Sequence, residues 1–229
     1  MSIRETVFVQ SQSVPLENEL DADDPRAWHW VVYASVGVPK GGRGEGDQSA
    51  RRGSGPGSGS ISGRVPVGTL RLVPPPHPPH PAPGSHHAID NAEGGAPPPA
   101  AAQQSPTPTA ALAPARLHAS TEPYVKLGRL ATLPDYRGLG LGRLLVNTAL
   151  EWVGRNAERV SGGGGDPVAR EREGGEDGWR GLVLVHAQVG VRGFWEGLGF
   201  VQDEGMGEWW EEGIRHVGMW RRVEVRGGR

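Results

Sequence analysis

Between Tyr124 and Val160 a strand pattern runs into a glycine-rich turn and then into an amphipathic helix. This unit limits the fold more than any other part of the 229-residue chain. Tyr124 to Leu133 (YVKLGRLATL) alternates at period two. The alternation predicts Val125, Leu127, Arg129, Ala131 and Leu133 on one face, and Lys126, Leu130 and Thr132 on the other. After Pro134 and Asp135 the spacing changes to helical, from about Gly140 to Val160. Leu144, Leu145, Thr148, Ala149, Trp152 and Val153 form the expected buried stripe.

The other folded pieces have to be found between segments that cannot build a core. Gly 37 and Pro 21 make up about a quarter of the chain without a repeat period, a composition typical of low-complexity sequence. Three stretches concentrate it: 40–64, 74–122 and 161–178. None carries enough apolar surface to offset the entropy of ordering it, so all three are expected to be disordered insertions within a single domain, 1–229. His77, His80, His86 and His87 in the second stretch are then incidental composition rather than a metal site. Arg51, Arg52 and Arg64 belong to a solvated linker.

What remains alternates in type. Ile3 to Val9 reads as the end of a helix. Trp28 to Ser35 and Val65 to Val73 read as two strands of a hairpin with a swollen turn. Gly181 to Ala187 is apolar enough for a central strand, and Val191 to Leu198 is a short helix closed by Gly199. Glu208 to Val225 supplies one or two closing strands around Gly213, with Trp209, Trp210 and Trp220 as packing residues. This order predicts an α/β (α+β) fold with one mixed sheet flanked by helices.

A formal charge of −2 gives no pull toward nucleic acid or an acidic membrane. The absence of cysteine excludes disulfides, thiolate metal sites and a cysteine nucleophile. With no secretory pattern and no apolar run of about 18 residues, a cytoplasmic or other intracellular compartment is expected.

The chemistry is concentrated in Arg137-Gly138-Leu139-Gly140-Leu141-Gly142-Arg143, between strand and helix. Glycines there let backbone approach a ligand, and the first N–H groups of the helix favour a phosphate or pyrophosphate. A Walker loop is absent, because no G-x-x-x-x-G-K-[ST] occurs. A dinucleotide fingerprint fails on glycine spacing, G-x-G-x-G in place of G-x-G-x-x-G. R-x-x-G-x-G is filled by Arg137, Gly140 and Gly142.

The segment KLGRLATLPDYRGLGLGRLLVNTAL resembles the first motif of the GNAT N-acetyltransferase superfamily, and AQVGVRGFWEGLGF, Ala187 to Phe200, resembles its second. VFVQSQSVPLENELDADD and EEGIRHVGMWRRV resemble the beginning and the closing strands of ElaA-like and YjcF-like members, with glucosamine-6-phosphate N-acetyltransferases as a neighbouring branch. The resemblance implies a splayed sheet that takes acetyl-CoA as co-substrate, needs no metal, and acts on a small-molecule amine. A homodimer is compatible with it. Backbone of Leu130, Ala131 and Thr132 would meet pantetheine and thioester. Gly138, Leu139, Gly140, Leu141, Gly142, Arg137 and Arg143 would hold the pyrophosphate. Gln188 replaces a usual asparagine, and Trp195 stands where many members place a proton-donating tyrosine. Members also carry a strand and a complete helix before the Val7 segment, where only Met1 to Thr6 are found, so a late start is expected.

Acetyl transfer needs an unprotonated amine, hence a base near the acceptor. His216, Glu211, Glu19 and Glu208 are the candidates, with His216 preferred for titrating near neutrality. A structural strand histidine is the competing reading. Glu17, Glu19, Asp21, Asp23 and Asp24 are expected to form a solvated acidic loop, because they lack the glycine and distal glutamate of a calcium loop. Two functions follow: catalytic N-acetyl transfer to an amino sugar phosphate or polyamine, or acyl-CoA binding without turnover.

Overall fold

A computed structural model describes residues 2–37, 62–87, 122–161 and 178–226. Helix α1 (Ser2–Arg4) continues as a wider turn through Gln10. The strands are β1 (Trp28–Gly37), β2 (Ser62–Val73), β3 (His86–His87), β4 (Val125–Thr132), β5 (Leu182–Gln188), β6 (Val201–Gln202), β7 (Glu208–Glu211) and β8 (Ile214–Arg222). The helices after β4 are α2 (Leu141–Arg155), α3 (Ala157–Ser161) and α4 (Arg192–Glu196).

All eight strands join one mixed sheet in the order β1-β2-β4-β5-β8-β7-β3, with β6 added on β8. β1, β2 and β4 are antiparallel neighbours, β4 and β5 run parallel, and β5, β8 and β7 are again antiparallel. This is the single mixed sheet flanked by helices expected from the sequence.

Helix α2 covers one face. Leu145, Val146, Ala149 and Val153 pack on Leu70, Leu72, Val125 and Val183 in the main core. Of the expected stripe, Leu145, Ala149, Trp152 and Val153 pack there, whereas Leu144 and Thr148 are exposed and Val146, Leu150 and Gly154 are buried instead. The helix also ends early, because Asn156 leaves helical dihedrals and its side chain caps Trp152 O at 2.8 Å. Trp152 packs against Trp28 and Trp30, with ring centroids 5.1 and 5.5 Å away.

The opposite face holds Leu182, Leu184, Met206, Trp209 and Trp220. Residues 74–87 lie over it, so the expected insertion 74–122 is ordered at its start. His77 stacks on Tyr124 at 4.4 Å and hydrogen-bonds Tyr124 O, while His86 stacks on Trp210 at 5.5 Å. The histidines therefore have packing partners, which composition alone concealed. At the other boundary of that insertion, Glu122 pairs with Arg222 at 2.6 Å. Residues 62–64 likewise extend β2 beyond the expected insertion 40–64. The remaining parts of the three insertions, 40–61, 88–121 and 162–177, lie outside the described residues.

Of the acidic run expected to be solvated, only Glu17 is exposed; the other four carboxylates are buried or half-buried. Glu19 and Asp23 are buried, and three carboxylates face three arginines. Arg4 pairs with Glu19 at 2.5 Å and Asp24 at 2.7 Å, Arg71 with Asp21 at 2.6 Å, and Arg129 with Asp21 at 3.2 Å. Buried charges persist only when paired and hydrogen-bonded. Burial opposes the Asp24 charge, yet bonds from Arg4 and the Asp21 N–H hold its carboxyl well below the usual range.

Candidate active site

Strands β4 and β5 pair only at Val125↔Val183, Lys126↔Leu184 and Leu127↔Val185. Beyond Leu127 they part. The cause is local: β4 bulges at Arg129, whose φ of 50° is left-handed. Against β2 the register moves from Arg71↔Gly128 to Thr69↔Ala131, so one residue of β2 spans two of β4. The bulge also corrects the expected alternation. Leu130 shares the α2 side with Val125 and Leu127, whereas Ala131 and Leu133 pack with Ile3 and Val7 on the other.

The gap opens into a cleft of about 640 Å³. Gly138 and Gly140 line one end, with φ of 75° and 77°, and a Cβ built on either meets nothing within 4 Å. Gly140 caps α2 without a side-chain bond, and Leu144 N–H is the amide that bonds back to Gly140 O, at 3.0 Å. The amides of 141–143 thus have no acceptor inside the helix, and no acidic residue lies in its first turn. Phe194 lies across Gly142, 3.5 Å from where its Cβ would be. Arg137 Nε donates to Thr132 O at 3.2 Å and Arg143 Nη1 to Gly197 O at 2.9 Å, which fixes both guanidinium groups at the mouth. This end is able to hold a diphosphate.

The other end is lined by carboxylates and imidazoles. Glu211 Oε1 accepts from Trp209 Nε1 at 2.6 Å and lies 2.9 Å from His186 Nδ1. His216 Nε2 is 3.9 Å from Glu211 Oε2, and its Nδ1 is 2.9 Å from Ile214 O. Glu19, Glu212 and Asn18 close this end, with Asn18 Nδ2 donating to Glu212 Oε1 at 2.8 Å.

The cleft gathers nearly every residue singled out from the sequence: Glu19, Glu211, His216, Leu130, Ala131, Thr132, Arg137, Gly138, Gly140, Leu141, Gly142, Arg143, Gln188 and Trp195. Leu139 does not line it; its side chain is exposed. Glu208 pairs with Arg215 at the surface, away from the cleft. Glu19 is held by Arg4, which removes it as a free base. Trp195 presents one edge while most of its ring packs against Phe194 and Phe200. His186 was missed in the sequence, although a lone polar residue at the end of the apolar run LVLVHA was a signal. Among the described residues no group of His, Cys, Asp and Glu could hold a metal ion, and no helix is long and apolar enough to cross a membrane.

The mixed sheet thus parts between two parallel strands, with a glycine loop and a bare helix N-terminus at the mouth of the gap. The acetyltransferase (GNAT) family model matches residues 59–161, just under half of the chain. No curated protein sequence matches the chain. Among solved structures, the chain is similar to an acyl-CoA N-acyltransferase from Pseudomonas aeruginosa, at 18% identity and TM-score 0.44, covering 96% of this chain and 85% of the other. It is also similar to Escherichia coli ElaA, at 16% identity and TM-score 0.41, covering 96% and 86%. A protein from Lactobacillus plantarum, provisionally named an N-acetyltransferase, gives 18%, 0.47, 97% and 87%.

Proposed function

We propose that the chain transfers the acetyl group of acetyl-CoA to a primary amine of a small molecule, a polyamine or an amino sugar phosphate. The observation that carries this reading is the placing of two unlike chemistries at the ends of one cleft. The diphosphate of acetyl-CoA would lie on the amides of 138–143, with Arg137 and Arg143 beside it. Pantetheine would run along Leu130 to Thr132, and Gln188 and Trp195 would border the thioester from the other wall. The acetyl group then arrives beside the bulge, facing the acidic end.

There Glu211 is the preferred base, with His216 3.9 Å behind it. The acceptor ammonium gives one proton to this pair, and the neutral nitrogen attacks the thioester carbonyl. Backbone N–H groups freed by the parting of the strands stabilise the oxyanion. As the carbon–sulfur bond breaks, the thiolate leaves and the second amine proton is released. Tyr136 also lines the cleft and supplies a hydroxyl that Trp195 does not.

A second reading, acyl-CoA binding without turnover, is favoured by Trp195 at the tyrosine position. An acetyl-CoA assay that follows free thiol across a panel of amines separates the two. Turnover on any amine supports the first reading. Calorimetric binding of CoA without turnover selects the second. A folded protein that binds no CoA overturns both.

A further inference from the structure

We propose that Arg129 is a positioning residue that couples the acceptor-side loop, residues 15–26, to the β4 bulge, so that both ends of the cleft close together. The inference rests on the reading of the cleft given above. Arg129 is itself the bulge residue, and its side chain is 15% exposed. Its Nη2 is 3.2 Å from Asp21 Oδ2 and donates to Asn18 O at 3.4 Å, and its Nε is 3.6 Å from Glu19 Oε1. All three partners belong to the loop. Asn18 also reaches the β7–β8 turn through Glu212 at 2.8 Å. The loop thus bridges the open end of the parted strands, held by Arg129 on one wall and by Glu212 on the other.

Arg129 completes the charge balance of the cluster, but neither of its carboxylate partners depends on it alone. Asp21 already receives both Arg71 Nη1 and Nη2, at 2.6 and 2.9 Å, and Glu19 receives Arg4 Nε at 2.5 Å. Backbone preference opposes it. A left-handed conformation is where glycine is at ease, and a non-glycine residue there is strained. A strained arginine whose ion pairs, at 3.2 and 3.6 Å, are longer than those of Arg71 and Arg4 with the same carboxylates is best explained by the link it makes. That link joins the backbone facing the thioester to the loop that faces the acceptor.

Arg129→Gly removes the link and suits the left-handed backbone; Arg129→Lys keeps the charge and part of the reach. Amide hydrogen exchange with and without acetyl-CoA reads the coupling without needing turnover. In the wild type, acetyl-CoA slows exchange in both 128–132 and 16–26. In Arg129→Gly, protection of 128–132 remains and that of 16–26 is lost. The acetyl-CoA Kd stays within about threefold while acceptor kcat/KM falls about tenfold or more, the usual range of a coupling between sites. Arg129→Lys recovers part of both losses, and it carries the test should the glycine variant fail to fold.

Loop protection unchanged in Arg129→Gly overturns the proposal, as does a loss of acetyl-CoA affinity equal to the loss in kcat/KM. A wild type that binds acetyl-CoA but leaves 16–26 unprotected overturns the coupling and leaves the site reading intact. A wild type that binds none overturns both.

Discussion

His186 Nδ1 lies 2.9 Å from Glu211 Oε1, the same oxygen that accepts the Trp209 indole N–H. A carboxylate only accepts, so His186 carries its proton on Nδ1. One oxygen of Glu211 is thereby fixed, and the other is turned toward His216. Glu211→Gln keeps the shape and an acceptor for Trp209 but cannot take a proton. Its kcat is expected to fall by about 10²–10⁴, the share of general-base catalysis. Acetyl-CoA affinity, measured by calorimetry, should stay at the wild-type value. An unchanged kcat would remove Glu211 from the chemistry.

Arg137 stands at the glycine loop with one guanidinium N–H spent on Thr132 O. A hydrogen bond to a charged group is worth about 1.5–3 kcal/mol, so Arg137→Ala should weaken acetyl-CoA binding about tenfold or more. The loss should shrink for a CoA fragment that lacks the diphosphate. Equal losses for both ligands would move the diphosphate elsewhere.

His77 gives the fold a pH dependence. Burial, together with the charge of Lys126, lowers its pKa to about 3 against the hydrogen bond with Tyr124 O. The unfolded chain titrates at 6.5, so above that pH neither state binds the proton. Below it the unfolded state takes up the proton and the folded state does not. Stability is therefore complete above pH 6.5 and declines as pH falls toward 3. Over the first pH unit below 6.5 the loss is about 1 kcal/mol. Thermal melting from pH 7.5 to 5 should show a decline that His77→Phe reduces. Parallel curves for both proteins would remove His77 as its source.

The strand–turn–helix unit was legible because each part carries its own signal: alternation in 125–127, helical spacing in 145–153, and glycines between them. The glycine loop could be read for the same reason, since backbone amides need no particular side chain. The bulge could not. Arg129 looks like an ordinary strand residue, and only its register against Thr69 and Arg71 shows the extra residue. Glu19, Asp21 and Asp24 read as a surface run because their partners, Arg4, Arg71 and Arg129, come from three distant elements. The strap at 74–87 read as disordered because proline and histidine rarely build a core; here they cover one already built by Tyr124 and Trp220.

Gly181 tests how tightly the end of β8 closes on the start of β5. Its φ is 94°, and a Cβ there would lie 2.1 Å from Val223 O. The same glycine accepts Val223 N–H on its carbonyl at 2.8 Å, so neither strand can withdraw without losing that bond. The neighbour is backbone rather than a movable side chain. Gly181→Ala combines left-handed strain of about 1–3 kcal/mol with an overlap relieved only by shifting a central strand. A total of about 4 kcal/mol or more is expected, in the range that marks a specific structural lesion. Gly193, inside α4 with nothing within 4 Å of its Cβ, is the control. Gly193→Ala should be neutral or stabilise by up to about 1 kcal/mol. Denaturant unfolding of the two variants should move the midpoint far down for the first and little or upward for the second. Equal shifts would mean that β5 and the end of β8 are not held at this contact.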